Sequence, residues 1–256
     1  MAGKWYHVWP WLLRILGFGC LAFAWEVAHA FSIFDPTLLP GLSAVAKAFV
    51  KLLGSWNTVS DVGMTVVRTL AGFGLAAIAG IPLGIGMGVF RPVYLAAMPP
   101  VDFFRSIPVT TLYPVFVLLL GVGDKSKIGM IFTACVFVVM LNSAYGVLQA
   151  RPTRRQMARL YGCSAPNVLR WVTFYEALPQ TLIGLRISLS LSLIVAVLTE
   201  MFMGSEYGLG QLLTDAYTTF AIDRLYAIVI LTGTIGFIFN RLFVRLETWL
   251  VPWSSK

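Results

Sequence analysis

The chain has 256 residues, of which 58% are hydrophobic and 12% charged, and its mean hydropathy is +0.82. Soluble domains carry about a quarter charged residues, so this composition excludes a water-soluble globular protein. The length suits roughly five or six helical spans of about 20 residues; long unbroken apolar runs, without ten-residue alternation, exclude a membrane barrel. A net charge of +8 would suggest nucleic acid only in a soluble protein, and no nucleic-acid partner is expected; here the positive residues report orientation. Cys20, Cys135 and Cys163 share no ligand spacing, which argues against a disulfide framework or a metal site.

In chain order, the first apolar run extends from Trp11 to Phe34, is interrupted by Arg14, Glu26 and His29, and stops at Asp35-Pro36. Lys4 and Arg14 ahead of the run, with the small-x-small triplet Ala28-His29-Ala30, resemble a signal peptide, but the run is read as a retained span. Ser43–Leu53 follows Pro40 and predicts a short helix capped by Ser43, with Lys47 and Lys51 one turn apart on a face suited to the membrane interface.

Val62–Val89 contains one charge, Arg68, and small residues at every fourth position: Gly72, Ala76, Gly80, Gly84 and Gly88. This ladder predicts close approach of another helix, and Pro82 predicts a bend. Tyr94–Val122 is interrupted by Pro99-Pro100, Pro108 and Pro114, with Asp102 and Arg105 between them. Such a broken span is tolerated at membrane depth only inside protein or beside a watery cavity. Gly121–Lys127 reads as a polar turn and Ile128–Leu148 as the fourth span. Leu178–Met203 and Asp223–Val244 complete six.

With the N-terminus inside, eleven cations are cytoplasmic: Lys4, Arg14, Arg91, Arg151, Arg154, Arg155, Arg159, Arg170, Arg241, Arg245 and Lys256. Only Lys47, Lys51, Lys125 and Lys127 fall opposite. The positive-inside rule therefore predicts an all-α, multi-pass protein of six transmembrane helices with both termini cytoplasmic. It is expected to be one permease domain over residues 1–256, with a cytoplasmic loop at 149–176. Trp5, Trp9, Trp11, Trp249 and Trp253 read as interfacial belts in contact with the lipid bilayer.

That loop is ordered. Arg154–Tyr161 reads as a helix ended by Gly162, and Ser164 with Pro166 starts a second one running to about Tyr175. Met157-Ala-Arg-Leu-Tyr-Gly-Cys-Ser-Ala-Pro-Asn-Val-Leu-Arg-Trp-Val172, followed by Glu176-Ala-Leu-Pro-Gln-Thr-Leu-Ile-Gly-Leu-Arg186, resembles the EAA loop of type I ABC importer permeases. The resemblance is to the nitrate, sulfonate, taurine and bicarbonate group, and it extends to Trp25-Glu-Val, Leu39-Pro40, Phe104-Arg-Ser-Ile-Pro108, Pro114, Gly121–Lys127 and Glu200…Gly208-Leu-Gly210. Gln156-Met157-Ala158 stands where the family has Glu-Ala-Ala, and Phe174-Tyr175 replaces its first Leu-Pro. Val109-Thr-Thr-Leu-Tyr113 lacks the Leu-Ala-Trp common in nitrate and sulfonate members.

The resemblance implies a bacterial inner-membrane transport subunit, acting as a homodimer with two ATP-binding subunits and an extracytoplasmic solute-binding protein. It further implies that Ala158, Arg159, Gly162, Cys163, Ser164, Ala165, Pro166 and Arg170 dock on the ATPase, with Gly162 as pivot. The chain itself has no catalytic residues and no cofactor: G-x-x-x-x-G-K-[ST] is absent, and Gly84, Gly86 and Gly88 lie in an apolar span with no preceding strand. ATP is used by the partner. Charges inside spans need partners or water. Arg68, Arg105 and Glu200 are the candidates for a path taken by a small anionic solute, weighed against structural pairing of the arginines with Asp102 or Glu200. Arg186 is read as snorkelling. Glu26 and His29, three apart on one helical face, carry the alternative of a proton-coupled secondary transporter.

Overall fold

The computed structural model describes residues 5–254, and side chains over 16–253. Lys4 and Lys256, and the side chains of Arg14, His7, Trp5, Trp9 and Trp11, lie outside this description. All regular elements among the described residues are helical: α1 (Trp5–Ala30), α2 (Leu42–Leu53), α3 (Trp56–Val89), α4 (Arg91–Ser106), α5 (Tyr113–Leu120), α6 (Asp124–Gln149), α7 (Pro152–Leu160), α8 (Ala165–Val168), α9 (Phe174–Met203), α10 (Leu209–Thr218) and α11 (Ile222–Leu250). α3, α6, the 39-residue run Ala165–Met203 and α11 are each long and apolar enough to cross a membrane. α4 and residues Val109–Leu120 form a fifth, broken span bent by 85°. α1 occupies the place of the first expected span, with Leu16–Ala30 as its described apolar part.

The chain divides into two compact units, one of residues up to Val59 with Leu212–Leu231, the other of Ser60–Gln211 and the segment from Thr232 onward. In the first, α1 is clasped to the start of α2. Trp25 Nε1 donates to the Pro40 carbonyl at 3.0 Å, His29 Nδ1 to the Leu39 carbonyl at 2.7 Å, and the Leu42 N–H to Glu26 Oε2 at 3.1 Å. Trp25 also meets Tyr226 edge-on at 4.8 Å. Between these helices the Thr37 hydroxyl and N–H both bond Asp35 Oδ1, which holds that exposed carboxyl below the usual carboxylate range. Ser43 is not the cap of α2. The helix starts one residue earlier behind Gly41, and the Glu26 carboxylate supplies from α1 the acceptor that a capping side chain would have given.

The second unit is built on α6. The small-residue ladder of α3 lies against it: a Cβ on Gly72 would sit 2.5 Å from Ile131 Cγ2, one on Gly80 2.9 Å from Val139 Cβ, and one on Gly88 2.5 Å from Val147 Cβ. Ala76 is fully buried in a core with Ile131, Cys135, Val136 and Ala196. α3 runs uninterrupted through Pro82. On its other side α6 meets α9, where a Cβ on Gly146 would lie 2.6 Å from the Ala177 carbonyl oxygen. Phe73, Leu182, Leu189 and Phe243 close a further cluster beneath α11. Arg186 does not merely snorkel, since its Nη1 lies 3.5 Å from Glu247 Oε2 on α11.

Proline chemistry explains the broken span. Pro108 forces Ile107 into an extended conformation (φ −74°, ψ 120°), which ends α4. Pro114 near the start of α5 loses no helical bond there, and Gly121 at φ +78° ends the helix. The expected polar turn at 121–127 is shorter than the sequence suggests, because α6 begins at Asp124 and draws Lys127 into the interior.

Candidate functional site

The 149–176 loop is organised around Gly162. α7 ends in a Schellman motif: the Gly162 N–H bonds the Arg159 carbonyl at 2.9 Å and the Cys163 N–H bonds the Ala158 carbonyl at 3.0 Å. Gly162 takes φ +78°, which L side chains rarely adopt, although a Cβ there would meet nothing within 4 Å. Its requirement for glycine is therefore conformational, not steric. Gly162, Cys163, Ser164, Ala165 and Pro166 are all exposed, as are Arg159 and Arg170, while Ala158 is half-buried. Ser164 precedes α8 without a side-chain cap bond.

One expectation is corrected. The second loop helix does not end near Tyr175; α8 passes through a π-helical turn, Leu169–Thr173, directly into α9. Nothing between Pro166 and Met203 breaks the backbone, since Pro179 sits inside a helix whose neighbouring turns carry the load. The tip is thus the end of a membrane helix. The arginines also divide their work. Arg155 Nη2 donates to the Val147 and Ala150 carbonyls at 3.0 and 3.2 Å, closing the C-terminus of α6, whereas Arg154 Nη1 pairs with Glu176 Oε1 at 3.0 Å.

The interior charges form one cluster, buried except at Asp124, whose side chain is half exposed. Arg68 donates through Nη1 to Glu200 Oε1 at 2.7 Å and to the Tyr207 carbonyl at 2.8 Å, and through Nε to Asp124 Oδ1 at 2.8 Å. Glu200 is fully buried and lies within 3.0 Å of the Thr65 hydroxyl. Three N–H groups at the start of α10 are captured as well: Gly208 by Asp61 Oδ1 (2.8 Å), Leu209 by Thr65 Oγ1 (2.9 Å) and Gly210 by Glu200 Oε2 (3.0 Å). Lys127 Nζ donates to the Gly204 carbonyl and the Ser205 hydroxyl at 2.8 and 2.6 Å. A Cβ at Gly208, where φ is +147°, would lie 2.5 Å from the Glu200 carboxyl carbon, so the loop can approach only as glycine. Side chains thus replace a local cap, and α3, α6 and α9 are tied to one loop.

Of the three residues expected on a solute path, only Arg105 lines a cavity. That cavity, about 660 Å³, is walled by Phe104, Phe137, Asn142, Tyr145 and Leu198 among others. Arg105 Nε pairs with Asp102 Oδ1 at 2.7 Å, with both side chains about half exposed. Arg68 and Glu200 are instead bonded to each other at 2.7 Å out of reach of solvent.

Residues 80–255 match the family model described as the binding-protein-dependent transport system inner membrane component. The chain belongs to this family. It is a permease of the ABC importer type, a multi-pass inner-membrane protein, and members of its family work with ATP-binding subunits and binding proteins. The nitrate import permease NrtB of Synechocystis sp. is 30% identical over 75% of this chain and 70% of that protein. The taurine transport permease TauC of Escherichia coli is 27% identical over 97% and 94% of the two chains. Relatives named for aliphatic sulfonate and bicarbonate transport complete the group. Among solved structures, an inward-facing MetNI methionine ABC transporter has a TM-score of 0.68 at 18% identity, covering 76% of this chain and 96% of that one, and it shares the fold.

In this permease the pair expected to exchange protons, Glu26 and His29, is engaged in the α1–α2 clasp, and nothing found here supports the secondary-transporter alternative. The sequence reading also missed Asp61 and Thr65, which capture the N–H groups at the start of α10, as well as Asp124, which pairs with Arg68, and Lys127, which bonds Gly204 and Ser205. A signal for the first two was present: Asp61, Thr65 and Arg68 follow i, i+4, i+7 spacing and make one polar stripe on an otherwise apolar helix.

Proposed function

We propose that the permease forms, with a second copy of itself, the path by which a small anionic solute delivered by an external binding protein crosses the membrane, and that a separate ATPase subunit seats the exposed 162–166 tip. Both termini and the 149–176 loop then face the cytoplasm. The observation that carries this reading is the tip's geometry: a glycine-specific reversal between α7 and a single 39-residue helix that runs from Ala165 to Met203. A displacement of the tip is carried into the span along one continuous helical run instead of being absorbed in a loop. ATP belongs to the partner; this chain supplies the docking surface and the path. Arg105 contacts the solute, and the Arg68–Glu200 cluster braces the path wall without touching it.

The test replaces Gly162 with valine in the complete transporter. A β-branched residue in left-handed conformation costs about 1–2 kcal/mol, so the loop reorganises while the membrane core, remote from this position, stays folded. Uptake driven by ATP is expected to be lost with membrane insertion retained; normal uptake would sink the docking assignment. Uptake by the unmodified transporter should survive an uncoupler and stop on ATP depletion. In a parallel variant, Arg105→Ala should raise the KM for an anionic solute about tenfold, the worth of one charge-assisted hydrogen bond. An unchanged KM would remove Arg105 from the path.

A further inference from the structure

A second cavity, about 510 Å³, lies where α6 leaves the membrane, between Gln149–Arg154, the π turn and the segment after α11. Its wall has three chemical parts. Trp171, Tyr175 and Trp253 are exposed and in mutual contact, with ring centroids 6.3 Å apart for the first pair and 6.2 Å for the second. Arg151 and Arg154 stand exposed at the rim. Glu176 closes the inner end; its side chain is 10% exposed, Oε1 takes the Arg154 bond, and Oε2 is buried with no hydrogen-bond partner.

A buried carboxylate oxygen without a donor is costly, and its neighbourhood defines the missing group: a hydrogen-bonding cation beside electron-rich ring faces. The free arginine, Arg151, asks for an oxyanion on the same ligand. We propose that this pocket holds the phosphoethanolamine headgroup of a membrane lipid, its ammonium donating to Glu176 against the aromatic faces and its phosphate on Arg151. The lipid source follows from position. Rings of tryptophan and tyrosine at the end of a span lie at headgroup level, and Leu246 and Trp249, on the last turns of α11 before Trp253, are exposed for an acyl chain to follow. The pocket borders α7 and the helix that carries the 162–166 tip, so an occupied pocket staples the coupling segment to the C-terminal end of the chain.

The full chain, purified in detergent, is titrated with dioleoyl phosphatidylethanolamine, phosphatidylcholine and phosphatidylglycerol, and bound lipid is counted by native mass spectrometry. One phosphatidylethanolamine per chain is expected, favoured about tenfold over the other two, the worth of one charge-assisted hydrogen bond to Glu176. Phosphatidylcholine cannot donate to Glu176, and phosphatidylglycerol carries no cation. Glu176→Gln should remove the preference over phosphatidylcholine, and Trp253→Ala should lower occupancy by phosphatidylethanolamine and phosphatidylcholine while leaving phosphatidylglycerol unchanged; Trp253 is half exposed, so its variant folds even where the first does not. Equal occupancy by all three lipids, or phosphatidylethanolamine occupancy unchanged by Trp253→Ala, overturns the proposal. Tighter binding of free O-phosphoethanolamine than of the lipid also overturns it, by assigning the pocket to a soluble zwitterion. This outcome is independent of the docking assignment, which Gly162→Val tests by uptake.

Discussion

Replacing Arg68 with methionine is expected to destabilise the permease by about 3–5 kcal/mol, the cost of leaving a buried charge without its partner. Glu200 would keep its bonds from Thr65 and the Gly210 N–H but lose the guanidinium 2.7 Å away, in a position with no access to water. Asp124 and the Tyr207 carbonyl would lose their donors at the same time. The reverse change is milder. In Glu200→Gln the amide oxygen still accepts from the Arg68 guanidinium, and Arg68 retains Asp124 and Tyr207. The combined Arg68→Met, Glu200→Leu variant should cost less than Arg68→Met and Glu200→Leu measured singly and added together, because neither charge is then stranded. Unfolding of the purified protein in one detergent, followed for the four variants, checks the order. Strictly additive losses would show that the two side chains do not act as a pair.

Gly84→Ala should be equally damaging for a steric reason. The added Cβ would fall on the Met140 carbonyl oxygen of α6, closer than any real contact, and 2.7 Å from Ser143 Cβ. Backbone cannot rotate away as a side chain can, so α3 and α6 must separate along the ladder. The loss should reach or exceed the upper end of the usual overpacking range of about 1–3 kcal/mol. Gly86→Ala, two residues along the same helix, is the matched control: a Cβ there meets nothing within 4 Å. Removing a flexible residue from the helix should leave stability unchanged or raise it by about 0.5–1 kcal/mol. Equal losses at both positions would mean that the ladder is not a packing face. Folded yield and midpoint of unfolding measure both.

The contrast between these two glycines shows how far the sequence could be read. Spacing at every fourth residue identified Gly84 as part of a packing face and left Gly86 outside it, since a helix repeats every 3.6 residues whatever it packs against. The same local logic offered Pro99-Pro100, Pro108 and Pro114 as interruptions, of which Pro108 ends α4 while Pro99-Pro100 lie inside it, and it placed a helix end at Gly162, because proline and glycine act on their own backbone. The partners of Arg68 were legible only in part: Glu200 stood as one alternative, and Asp124 was not named. Asp124 and Glu200 are separated from it by 56 and 132 positions, and a single sequence carries no periodicity that links them.

Composition and the resemblance of the 157–186 segment determined by themselves that this is a helical membrane permease whose 149–176 loop reverses at Gly162, because hydropathy and turn chemistry are local properties. Tertiary structure alone decided which charges face a cavity and which are spent inside the fold. It joined Arg68 to Glu200 and left Arg105 on a cavity wall, turned the second loop helix into the end of α9, and gathered Trp171, Tyr175 and Trp253 around an unpartnered carboxylate oxygen. Each depends on distances across the fold, where a charge is stabilised only by the groups that packing brings within about 3 Å of it.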